Sequence, residues 1–241
     1  MGHHAILPEK DFRWRAGEIT RLEAFCDIVF GFAITLLVVS LEVPRDYAEL
    51  MADLRGFVPF AICFSQLILI WYNHYRFSRR FGLEDTYTVF LNVVLVFLVL
   101  FYVYPLKFLF TGLFAQLSGT TGPLDHSTLH EASVLMRVYA IGFAAVFGLF
   151  VLMYRHAYKL RDQLQLTPLE RLITRTAIQE NLGMVGVGLL SFLLAFRHPA
   201  AAGWIYSGIG IFFWIHGSIT GKRMRLLRES QSPAGEEYSR H

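Results

Sequence analysis

Six runs of nearly unbroken apolar sequence, at residues 24–43, 57–72, 89–110, 134–154, 177–196 and 201–219, constrain this 241-residue chain more than anything else in it. Each is close to the ~20 residues that an α-helix needs to cross the hydrocarbon core of a bilayer. No water satisfies the backbone there, so a spanning segment must be a helix or part of a closed barrel. The runs are continuously apolar rather than alternating, and turn signals every ~10 residues are absent, which excludes the barrel. The expected fold is therefore an all-α integral membrane protein with six transmembrane helices. Residues 1–227 form the membrane domain, and 228–241 (RESQSPAGEEYSRH) read as a polar, disordered tail.

Composition agrees with that reading. Only 17% of the residues are charged, against about 25% in an ordinary soluble domain. Too little polar surface is available to cover a water-soluble enzyme. The net charge of +3 is too mild for a polyanion partner, so the chain has no nucleic-acid ligand. Cys26 and Cys63 are the only cysteines and both lie in apolar runs, so neither a disulfide framework nor a thiolate metal site is available. The first twenty residues hold no apolar core of signal-peptide length, and no cleaved leader is expected.

Charge placement sets the orientation. Seventeen of the 22 basic residues fall on the N-terminal arm, the second and fourth connectors and the tail. The opposite side keeps Arg45, Arg55, Lys107, Arg137 and Arg197. By the positive-inside rule both termini are cytoplasmic and the number of spans is even, as six is. The third connector, 111–132, is rich in Gly, Ser and Thr and reads as an irregular outer loop between two three-helix halves. No repeat relates the halves, which argues against an inverted-repeat transporter.

The first helix is the most informative. Pro44 ends it, and Arg21, Glu23 and Asp27 crowd its cytoplasmic end. Glu23 and Asp27, four apart, share a face. Arg21 and Asp27 are six apart and do not pair, so Asp27 calls for a partner from another helix. The second helix closes on Trp71-Tyr-Asn73-His74, which brings Asn73 and His74 to the same depth. These three polar residues are either solvated at the interface or joined in an inter-helix clamp, since an unpaired carboxylate there is costly. Farther along, Phe32, Leu36 and Val39 form one stripe with Thr35 at its edge. By spacing alone the stripe is a packing or lipid face, with the Thr35 hydroxyl bonded to the Gly31 carbonyl.

The run Arg21-x-x-x-Phe25-Cys26-Asp27, followed by Ala-Ile-Thr-Leu-Leu-Val and Pro44, resembles the Arg-x-x-x-Phe-Ser-Asp signature of the transmembrane protein 175 family of potassium channels. Trp71-x-Asn73-His74, Leu91-Asn92 and Tyr104-Pro105 agree with it, so the resemblance is specific over about residues 19–110. It implies a homotetramer in a bacterial-type cell membrane, with the first helix of each subunit lining a central pore. Potassium is then the permeant ion, and no cofactor is implied. The family uses rings of apolar side chains in place of a carbonyl-lined filter. Carried over, the tightest ring falls at Phe32, a threonine ring implicated in selectivity at Thr35, and further apolar rings at Leu36 and Val39. Arg21, Phe25, Cys26, Asp27, Asn73 and His74 correspond to the polar clamp.

Two positions depart from the family. Cys26 replaces a serine, exchanging a good donor for a weak one. Phe32 replaces an Ile or Leu, so four such rings would close the path more fully or would rotate aside for conduction. An apolar ring gates by dewetting, because an ion there loses its hydration shell without replacement ligands. Four Thr35 hydroxyls supply part of that replacement. Glu23 and Glu42 stand at the two ends, either raising local cation concentration or as plain solvated carboxylates.

Other classes fare worse. A membrane enzyme or proton-coupled transporter needs ionisable groups gathered inside the bilayer, and Lys107, Arg137, Glu180 and His216 are scattered or terminal. The stretch Gly183-Met-Val-Gly186-Val-Gly188 reads as close helix packing. A non-conducting membrane scaffold remains the competing reading.

Overall fold

A computed structural model describes residues 11–39, 46, 47, 51, 57–118 and 129–209. Its helices are α1 (Arg21–Val39), α2 (Phe57–Phe81), α3 (Thr86–Ser118), α4 (Leu129–Lys159), α5 (Pro168–Ala195) and the short α6 (Pro199–Trp204), which runs into a 3-10 turn, Ile205–Gly208. Among the described residues, four helices are long and apolar enough to cross a membrane: α1, 86–112 of α3, 130–159 of α4, and α5. The second helix, 25 residues long, carries Arg76, Arg79 and Arg80 in its last turns. Most of the sixth apolar run, residues 119–128 of the third connector, Glu42, Pro44 and the tail 228–241 lie outside the described residues. The rest of the connector expected to be irregular, 111–118 and 129–132, is helical, because α3 and α4 continue past their apolar windows.

The helices overrun the apolar windows. The window 57–72 becomes a helix to Phe81, and 177–196 becomes one that starts at Pro168. Hydropathy marks the hydrocarbon slab, whereas a helix continues through charged sequence until a stop signal ends it. That signal at α2 is Gly82, in the left-handed region at φ 57°, the usual C-terminal terminator. At the start of α5 it is a capping box, with the Glu170 amide bonded to the Thr167 hydroxyl at 3.2 Å, the Thr167 amide to Glu170 Oε2 at 2.9 Å, and Pro168 in the first turn. Pro105 stands inside α3 without ending it, as happens in membrane helices whose neighbours cover the freed carbonyl.

Packing divides the bundle. Among the described helices α1 packs on α2 and α3 alone, while α5 lies along α4. Gly188 permits that approach: a Cβ there would stand 3.0 Å from Ala144 Cβ and 3.1 Å from the Ala140 carbonyl. Gly186, by contrast, faces open space. The core holds Phe30, Leu37, Leu67, Leu95 and Phe150, all buried.

Candidate functional site

The two faces of α1 are chemically alike and structurally opposite. Cys26, Phe30, Ala33 and Leu37, spaced four, three and four apart, are buried against α2 and α3. The reverse face carries Arg21, Phe25, Ile28, Phe32, Thr35 and Val39, all exposed, Phe32 at 55% and Val39 at 72%. Leu36 is half-buried at the border between the faces. The Thr35 hydroxyl donates to the Gly31 carbonyl at 2.9 Å, so both lone pairs of its oxygen stay available on the uncovered face.

A polar knot fastens the first half of the helix. Trp71 Nε1 donates to Asp27 Oδ1 at 2.8 Å. One turn on, His74 Nε2 lies 2.7 Å from Asn92 Oδ1, and the Cys26 thiol reaches the same oxygen at 3.7 Å. The Asn92 amide nitrogen donates to the Thr88 carbonyl at 2.8 Å. That bond orients the amide, so Oδ1 is the acceptor and His74 Nε2 carries the hydrogen. Phe30 covers the imidazole, with ring centroids 5.7 Å apart. Three helices therefore meet at one asparagine oxygen.

Three sequence expectations are revised. Asp27 takes its partner from Trp71, not from Asn73 or His74. Asn73 faces the other half of the bundle, accepting from the Tyr154 hydroxyl and donating to Asn181 Oδ1, each at 3.2 Å. Glu23 is neither solvated nor on the uncovered face: it is 3% exposed and sits 3.7 Å from the Arg79 guanidinium. The helical twist accounts for this, since Glu23 precedes buried Cys26 and Phe30 by three and seven residues. Arg21 and Phe25, grouped with the clamp in the sequence, lie instead on the uncovered face.

Sequence reasoning also missed Asn181 and Tyr154 as members of this polar set. The usable signal was an amide in an otherwise apolar run, which must find a partner inside the protein.

The family model described as endosomal/lysosomal potassium channel TMEM175 matches residues 21–105, the region that contains α1 and the knot. A potassium channel of Marivirga tractuosa is 37% identical over 231 residues, covering 90% of this chain and 94% of the relative. One from Chamaesiphon minutus is 27% identical over 206 residues, covering 80% of this chain and 89% of the relative. Among solved structures, the crystal structure of a variant of the potassium channel MtTMEM175, in complex with a nanobody–MBP fusion protein, superimposes with a TM-score of 0.78 at 37% identity, over 89% of this chain and 99% of that one. The TMEM175 homologue from Chamaesiphon minutus, described as a lysosomal potassium-selective channel homologue, gives 0.59 at 25% identity, over 81% and 95%. The chain belongs to the TMEM175 family of potassium channels.

Proposed function

We propose that this chain is one subunit of a homotetrameric potassium channel in which α1 of each subunit lines the pore. The observation that carries the proposal is the uncovered stripe of Phe32, Thr35 and Val39, set opposite the face that α1 packs on its own subunit. A single thin helix cannot enclose a path, so four copies around an axis supply the wall. Phe32 is the tightest ring, Leu36 and Val39 add apolar constrictions, and Thr35 presents oxygen ligands. Apolar rings hold ions back by dewetting, with no carbonyl filter.

The knot of Asp27, Trp71, His74, Asn92 and Cys26 serves this wall from behind, fixing the rotation of α1 about its own axis. Arg21 and Phe25 continue the same uncovered face into the first turns of α1, at one end of the proposed wall. Six spans within residues 1–227, cytoplasmic termini and residence in a bacterial-type inner membrane complete the reading. Ion conduction by a channel has no chemical step, so the protein is not an enzyme. Reconstitution into liposomes tests this reading through potassium and sodium flux, with mass measurement in nanodiscs giving the assembly state. Potassium flux from a tetramer supports it; a monomer or dimer without flux returns the stripe to lipid and the protein to a scaffold role.

A further inference from the structure

Residues 11–20, ahead of α1, are tied on two sides through Arg13, Arg15 and Ala16, across the arginine-bearing end of α2 and the start of α5. On one side Arg15 forks onto Glu170, with Nη2 2.7 Å from Oε2 and Nη1 3.1 Å from Oε1, while its Nε donates to the Leu164 carbonyl at 2.8 Å. The Arg13 amide adds a bond to Glu170 Oε1 at 2.9 Å. Both side chains are nearly closed to solvent, 9% and 3% exposed. On the other side the Arg79 carbonyl accepts from the amides of Arg15 and Ala16 at 3.2 and 3.4 Å. Gly82 leaves room for this, since a Cβ there would stand 3.2 Å from the Ala16 nitrogen. The Arg79 guanidinium lies over the Trp14 ring at 5.4 Å and faces Glu23 of α1 at 3.7 Å.

Capping α5 requires only Thr167 and Glu170. A bidentate arginine from 155 residues earlier is superfluous for that purpose, and paired forks of this kind are among the strongest polar contacts. Since α1 packs on neither α4 nor α5, the fork is a direct tie between the approach to α1 and the start of α5. We propose that residues 11–20 are a strap that restrains the first turn of α1, with Glu170 the positioning residue that couples the α4–α5 connector to the pore. The proposal rests on the channel reading above for its pore, and on the geometry alone for its strap.

Two variants, Glu170→Gln and Arg15→Gln, test it in the full-length protein. The first keeps the side-chain volume and a capping oxygen and loses the charge. Hydrogen–deuterium exchange at residues 12–24 should speed up about tenfold in each, while amides within 91–105 stay protected. Potassium flux per tetramer should rise at least ~5-fold, because a released first turn samples wider rings, with the potassium-to-sodium ratio kept. The double variant should add little to either single one. Unchanged exchange in both variants overturns the strap. Faster exchange with unchanged or lowered flux overturns its coupling to the pore. A parent that passes no potassium overturns the channel reading and the coupling with it, while the exchange result still decides the strap.

Discussion

The indole nitrogen of Trp71 donates to Asp27 Oδ1 at 2.8 Å, joining α1, the helix with the uncovered stripe, to α2. Trp71→Phe leaves a half-buried carboxylate short of a donor, and Asp27→Ala leaves the indole N–H unpaired. Each should cost ~1–3 kcal/mol, seen as a lower unfolding temperature and, in mass measurement, a smaller fraction of the proposed tetramer. Because the two residues share one bond, the double variant should cost less than the sum of the singles. An Asp27→Ala protein that assembles as the parent does and differs only in conductance would move Asp27 from the scaffold to the ion path.

Phe32 is 55% exposed on the face of α1 that its own subunit leaves open. In the proposed tetramer, truncation to alanine removes an aromatic side chain from each of four copies around one axis, and Phe32→Asn wets the proposed ring with a smaller loss of volume. Both variants should carry more current than the parent and discriminate less between potassium and sodium. Liposome flux of both ions checks this. Unchanged flux from the alanine variant with poorer insertion of the asparagine variant would assign Phe32 to lipid.

Gly142 holds a position where a Cβ would stand 2.6 Å from the Tyr102 ring. That ring is buried, with its hydroxyl bonded to the Tyr139 carbonyl at 3.1 Å, and has little freedom to retreat. Gly142→Ala should therefore destabilise the bundle by ~1–3 kcal/mol through overpacking. Gly186→Ala, in open space on α5, is the matched control and should unfold at or slightly above the parent temperature.

Asp85, in the connector before α3, accepts from the amides of Tyr87 and Thr88 at 3.0 and 3.1 Å, from the Thr88 hydroxyl at 2.8 Å, and lies 3.0 Å from His156 Nε2. Partial burial pushes its carboxyl up, but the bonds from Thr88 and His156 outweigh that and hold it below the ordinary value of 3.8. The folded carboxyl is the stronger acid, so its contribution is complete above that ordinary value and is lost as pH falls through the folded one. Asp85→Ala should cost ~0.5–2 kcal/mol through the lost cap. The partly exposed contact with His156 adds little beyond it. Asp85→Asn should keep most of the cap and flatten the acid limb of unfolding temperature against pH.

The approximate positions of the long helices among the described residues were legible in the sequence because hydrocarbon admits almost no alternative to an apolar helix. So was the family, through the Arg21-to-Asp27 motif. The rotation of α1 was not legible. Its residues are apolar all round, so Phe30 and Phe32 read alike, and only contact with α2 and α3 buries the first and leaves the second open. For the same reason Glu23 read as a solvated end and proved to be buried beside Arg79. Polar pairing was legible as a need and not as a match: Asp27 required a donor, but whether Trp71, Asn73 or His74 supplied it depended on how two helices turn toward each other. The link of Arg15 to Glu170 lay further out of reach, spanning 155 positions with no periodicity to announce it. Hydropathy is a local property and determined which segments are helices in a membrane. Azimuth and partnership are set by packing between distant segments, and the tertiary structure alone decided them.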